Sequence, residues 1–335
     1  MKKLALAIAA VLASGAAFAE TASTDISDLS STADAPNNLY DFIDNDKLSG
    51  VAYGGAELGM DVLLGDQEGS MAHWDMFKVG ADFTYAYSES LSFLIGGEAR
   101  YAWGGVDRLD AVNYVDRFQF GIETVAGKTT WGKQCGIADV YLGFADISKE
   151  HGLGAEADEV ACTEEQLNHH YFGNNFDIGA AYEHTTDAWA LGGSYTVGPV
   201  VIGGTFVDIG KGEHSVAGVD HGESVYTLGA VVVLDKFNVA AKYAYGEAET
   251  GAETEEVAGY ALGVAYQATT NLSLAATYNN EDYNDAYAAV MNTDSDDWFT
   301  LGASYRLNEH IELVTDYKVA SEQDDKLFLR ANVSL

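Results

Sequence analysis

The chain has 335 residues, with 17 Lys and Arg against 52 Asp and Glu, a formal net charge of −35. So acidic a balance argues against nucleic acid as a partner, because phosphate binding rests on clustered Lys and Arg. Hydrophobic residues reach 47%, so the acidity does not mean disorder, and 36 Gly with 20 Tyr against 2 Pro favour many paired strands, since proline cannot donate to a sheet ladder.

Residues 1–19 read as a secretory signal peptide. Lys2 and Lys3 precede an apolar stretch from Leu4 to Leu12, and Ala17-Phe18-Ala19 has the small-x-small form of a cleavage site. Export places Cys135 and Cys162 in an oxidising compartment. Beyond Ala19 there is no run of about eighteen apolar residues, so any membrane role must use strands rather than a helix. Residues 20–49 are polar and read as a tether or plug-like extension. From there to the C-terminus, over residues 50–335, one pattern holds.

That pattern is strict alternation. Leu91, Phe93, Ile95, Ala99, Tyr101 and Trp103 share one face, while Ser92, Gly96, Glu98 and Arg100 share the other. The same period recurs at Phe299, Leu301, Ala303, Tyr305 and Leu307, at Ile311, Leu313, Tyr317 and Val319, and at Leu327, Leu329, Ala331 and Val333. Period two over roughly ten residues, repeated, is the signature of strands.

The links alternate as well. Short turns are expected at 88–90, 127–128, 173–175, 198–199, 235–236, 270–271 and 308–309, with mostly longer polar links between them at 65–75, 104–113, 134–165, 210–223, 246–256, 282–297 and 320–325. An up-and-down barrel with one trimmed rim and one elaborated rim produces this rhythm, and the count is about sixteen strands. Apolar faces rich in Leu, Val and Ala, with aromatics towards their ends, match a lipid-facing band between two girdles. The opposite faces carry Lys78, Asp82, Arg100, Arg117, Gln119, Glu123, Lys242 and Arg306. Charges on so many strands imply a wet lumen. The fold class is therefore all-β, a transmembrane antiparallel barrel. A soluble sandwich or propeller, the plainer alternative, would show no length asymmetry between alternate links.

Several segments carry a family resemblance. The run from Gly127 through Trp131 and Lys133 to Gly136 resembles the strand leading into the constriction loop of Gram-negative general porins, and Gly136 to Asp146 resembles the start of that loop. Asp116 to Gly121, Asn168 to Gly173 and Leu48 to Gly55 resemble neighbouring strands of the same family. The resemblance implies a trimer of sixteen-stranded barrels, each with a water-filled pore narrowed by an inward-folded third long loop, here about 134–165. It also implies two loop acids, Asp146 and Glu150, facing wall bases that include Arg117, with Lys78, Arg100 and Lys133 as further candidates. The wall position near Leu167 carries no base, and the loop signature is only partly kept, as Lys149-Glu150-His151-Gly152.

On this reading the protein passes small hydrophilic solutes and ions by passive diffusion across the outer membrane of a Gram-negative bacterium. Loop acids opposite wall bases create a transverse field that orients dipolar solutes. The plainer reading of Asp146 and Glu150 is two solvated loop acids. Cys135 and Cys162 bracket the loop, and a disulfide between them would limit its freedom by about 3 kcal/mol on a chain-entropy estimate. Acids of the long links collect on one rim, at Glu247, Glu249, Glu253, Glu255 and Glu256, and again between Glu281 and Asp297, so mild cation selectivity is expected. Solubility alone is the competing explanation, and divalent bridging to lipopolysaccharide is a further use. No cofactor is implied. His169, His170, Cys162 and His151 match no standard metal spacing, and Asp294-Ser295-Asp296-Asp297 lacks the spacing and glycine of a calcium loop. No GxSxG, HExxH or P-loop pattern occurs. An adhesin-like barrel acting through its acidic loops and a barrel hydrolase are the alternatives.

Overall fold

The computed structural model describes residues 40–44, 47–64, 71–104, 112–134, 137–149, 151–152, 163–185, 187–208, 215–216, 219–220, 224–250, 253–286, 288, 293–321 and 325–334. The strands are β1 (Tyr40–Asp44), β2 (Leu48–Leu63), β3 (Met71–Ser88), β4 (Leu91–Gly104), β5 (Val112–Thr124) and β6 (Gly127–Gln134). After a short helix, α1 (Ala138–Leu142), and a 3-10 turn, Gly143–Ala145, come β7 (Thr163–Phe172), β8 (Phe176–Glu183), β9 (Trp189–Val197) and β10 (Val200–Asp208). A small separate hairpin, β11 (Ser215–Val216) and β12 (Val219–Asp220), precedes β13 (Ser224–Leu234), β14 (Phe237–Thr250) and β15 (Glu253–Thr269). The last four are β16 (Leu272–Tyr283), β17 (Ser295–Asn308), β18 (Ile311–Ala320) and β19 (Lys326–Ser334).

From β2 to β10 and from β13 to β19, every strand pairs antiparallel with its neighbour, and β10 passes directly to β13. The last strand returns to the first: β19 pairs with β2 from Lys326↔Leu63 to Ser334↔Gly55. Sixteen strands therefore close a barrel, as the alternation predicts. Closure leaves no unpaired edge, a condition that hydrocarbon imposes on any sheet crossing it.

Parity then decides everything. Val79, Ile95, Phe120, Leu228 and Leu301 are about half exposed or more, and all lie on the outer face. Aromatic rings collect at both ends of that face. At the long-link end Trp189, Phe206 and Tyr226 run in contact across β9, β10 and β13, and Tyr260, Tyr278 and Phe299 do so across β15, β16 and β17. At the short-turn end Tyr87 meets Phe93, and Phe237 meets Tyr266. These are the two girdles, placed where amphipathic rings meet headgroups.

The short turns use the residues their geometry needs. Gly198 and Asp235, at φ 56° and 47°, occupy the left-handed region in the tight links β9–β10 and β13–β14.

Three expectations change in detail. The turn expected at 127–128 falls at 125–126, and Gly127 already begins β6. The link expected over 246–256 is instead continuous strand on both sides, with β14 and β15 paired out to Thr250↔Glu253. Its acids mark where the strands leave the hydrocarbon, because a ladder continues in water as well as in lipid. Thirdly, the polar extension contributes a strand: β1 pairs with β2 at Tyr40↔Ala52 and Asp44↔Ser49, just beyond the point where β19 ends against Gly55. The proposed signal peptide, residues 1–19, lies outside the described residues.

Candidate functional site: an inward loop and the wall it leaves open

The link between β6 and β7 enters the lumen. Its root is held by Gln134, 3% exposed, whose Nε2 donates to the carbonyls of Thr130 at 3.1 Å and Gln166 at 2.7 Å while its Oε1 accepts from the Thr130 hydroxyl at 2.6 Å. From there Ile137 and Tyr141 pack on Ala181, Ala190 and Val207 of β8, β9 and β10. Phe144, Ala145 and Ile147 pack on Val201, Val231 and Ala240 of β10, β13 and β14. These wall residues face inward, yet they are apolar because the loop, rather than water, covers them.

Inward glycines under the loop set how close it comes. A Cβ on Gly203 would collide with the Tyr141 carbonyl oxygen, one on Gly263 would meet Ile147 Cγ1 at 2.6 Å, and one on Gly302 would meet Lys149 Cγ at 2.6 Å. The loop thus lies in a shallow gutter that follows the circumference rather than hanging free.

At His151 the loop is latched by polar contacts. The His151 backbone N–H donates to Asp316 Oδ2 at 3.1 Å, and Trp298 Nε1 donates to the His151 carbonyl at 3.1 Å. The His151 ring stands edge-on to Phe328 and lies 3.9 Å from Asp61 on β2. Burial lowers the His151 pKa to about 4, with Lys326 and Lys318 pushing the same way. Burial also lowers that of Lys149, against the opposing pull of Glu312 and Asp316.

The wall formed by β2, β3, β4 and β5 is different. Here the inward face carries Tyr53, Lys78, Asp82, Glu98, Arg100 and Arg117, brought level by register: Tyr53↔Gly80, Gly80↔Glu98, Glu98↔Arg117 and Lys78↔Arg100. Arg117 Nη2 donates to Asp82 Oδ2 at 2.8 Å and to the Tyr53 hydroxyl at 2.6 Å. Arg100 Nε donates to Glu98 Oε1 at 2.9 Å. Gly96 makes the first pair possible, because a Cβ there would occupy the place of the Asp82 carboxylate.

The sequence-derived candidates separate accordingly. Arg117 and Arg100 share the wall group, and Lys78 is inward beside Arg100 but only 4% exposed. Lys133 is a correction of placement: it stands opposite Phe118, whose ring is on the outer face, so β6 turns it away from Arg117. Asp146 is engaged within the loop, where its Oδ1 accepts from the Ser148 N–H at 2.9 Å and hydroxyl at 2.7 Å. Glu150, Cys135 and Cys162 lie outside the described residues. At the position near Leu167 the inward neighbours are Gln166 and Asn168, which are not basic. Sequence reasoning overlooked Tyr53, Asp82 and Glu98 as partners of the arginines. Alternation gives their side of the sheet, and counting back from the turn at 89–90 gives the register of Asp82 and Glu98, apart from the shift between Ala86 and Ser88, whereas Tyr53 lies on β2, which that turn does not join.

A closed barrel with an apolar exterior and a loop laid along the wall of a charged lumen defines a membrane channel. The Gram-negative porin family model matches residues 47–286, and the chain belongs to that family. It is therefore an outer-membrane channel protein. Among solved structures, OmpF of Salmonella typhi in complex with daunomycin aligns with TM-score 0.72 at 14% identity, covering 88% of this chain and 99% of that one. OmpT of Vibrio cholerae, described as a trimer form, aligns with TM-score 0.68 at 17% identity, covering 87% and 100%. An anion-selective porin from Comamonas acidovorans aligns with TM-score 0.63 at 11% identity, covering 86% and 100%. At these identities the likeness speaks for the fold. No curated protein matches the chain.

Proposed function

We propose that the protein is a general diffusion porin, passing small hydrophilic solutes and ions through the gap between the inward loop and the β2–β5 wall, with a mild preference for cations. The observation that carries this reading is the pairing of Arg117 with Asp82, whose side chains are 24% and 44% exposed inside a barrel whose exterior is apolar. A lumen packed dry would leave neither group in contact with water. The filter comprises Arg117 and Arg100 on the wall, Lys78 beside them, and the loop acids Asp146 and Glu150. No catalytic group or cofactor is assigned to it. The subunit assembles as a homotrimer, after export by the N-terminal signal, and sits among lipopolysaccharide.

Cys135 and Cys162 form a disulfide in this proposal. They adjoin Gln134 and Thr163, which pair across β6 and β7, so the bridge would close the loop at its root. Intact-mass measurement after alkylation without reduction should find no labelled thiol; two labelled thiols would remove the bridge.

Liposome swelling with sugars of graded size is the direct test of the channel. Faster swelling for smaller sugars is expected. A folded protein that inserts and admits none of them would instead favour the reading as a surface-interaction barrel.

A further inference from the structure

The two wall ion pairs are presented to the lumen in opposite ways. In the Asp82–Arg117 pair the carboxylate is the more exposed partner, at 44% against 24%. In the Glu98–Arg100 pair the guanidinium is more exposed, at 23% against 9%. Register also separates them along the pore. Lys78 and Arg100 form one level, Glu98, Arg117 and Tyr53 the next, and Asp82, opposite Gly96, the level nearest the short-turn rim. A permeating ion therefore passes an exposed base and then an exposed acid on a single wall.

From this we infer that Asp82 is the residue that sets the charge preference of the channel, by neutralising Arg117 and offering its own free surface to passing cations. The inference rests on the diffusion reading above and deepens it. Tyr53 is a positioning residue in this scheme. Its ring lies across Gly80, where a Cβ would collide with it, and its hydroxyl accepts the second Arg117 hydrogen bond. Those two partners fix the guanidinium against the wall, so that the carboxylate stands in front of it. The polarity of the filter is then built largely within one wall, with acids supplied by β3 and β4.

The test is the reversal potential of the single channel in a potassium chloride gradient. Asp82→Asn removes the exposed charge and uncovers Arg117, so the cation-to-anion permeability ratio should fall by about twofold at an ionic strength of about 0.1 M, where one charge is still felt across about 10 Å. Arg117→Gln should raise the ratio, and Asp82→Glu should restore the wild-type value. Conducting Asp82→Asn and Arg117→Gln channels with the wild-type reversal potential overturn the assignment. If Asp82→Asn fails to fold, the Arg117→Gln measurement decides alone. A wild-type barrel that inserts and carries no current overturns the diffusion reading itself, so the two failures are distinct.

Discussion

Two sectors of the same inner wall solve opposite problems with the same residue type. Along β8, β9, β10, β13 and β15, inward glycines and small apolar residues make a bed for a polypeptide segment, and Gly203 admits a backbone carbonyl. Along β3 and β4, inward glycines make room for the wall's own side chains, and Gly96 admits a carboxylate. The first sector ends up dry and the second wet. What an inward glycine does is thus decided by what is delivered to it, a loop on one side and an ion pair on the other.

The contrast can be broken most severely by filling the bed. Gly203→Leu places a side chain where the Tyr141 carbonyl lies, so the loop should lift from the wall. Overpacking costs about 1–3 kcal/mol, and the expected readout is a changed unitary conductance with a noisier open state; a wild-type current record would show that the loop is held elsewhere. A milder lesion is Ile147→Ala, which deletes the buried contact over Gly263. It should weaken docking by about 2–5 kcal/mol, seen as faster protease cleavage of the loop in the folded barrel.

Acid probes the docked sector without a mutation. Between pH 6.5 and about 4 the docked loop binds fewer protons at His151 than a released loop does. Docking is therefore at full strength above pH 6.5 and weakens as the pH falls through that window. Fluorescence of Trp298, which donates to the His151 carbonyl, should shift there, and His151→Gln should abolish the shift. The smallest expected effect is Tyr141→Phe. Tyr141 Oη and His170 Nδ1 lie 3.1 Å apart, and losing that bond should lower the melting temperature slightly, in keeping with about 0.5–1.5 kcal/mol.

The barrel was legible because period two and the alternation of short and long links are local properties. The site was less so. Around Val200-Val201-Ile202 and Ala230 to Leu234 the strands read as apolar on both faces, and nothing local tells that one face meets lipid and the other meets α1 and the residues after it. Polarity misled over 246–256, where acids occupy paired strand beyond the girdle. Arg117 was legible through the resemblance, but its partner Asp82 stands two strands away, across β4, and meets it only diagonally, since Asp82 is opposite Gly96 and Arg117 opposite Glu98. Lys133 was misplaced for the reason that a one-residue difference in parity exchanges inside for outside.

The seam between β2 and β19 has a consequence for how the molecule is made. Its two edges come from opposite ends of the chain, with Gly55 meeting Ser334. Until β19 has been synthesised and delivered, every intermediate carries two open edges able to recruit a stranger's strand. Deleting a handful of residues from β19 should therefore cost far more than their share of contacts, since it leaves the cylinder unsealed.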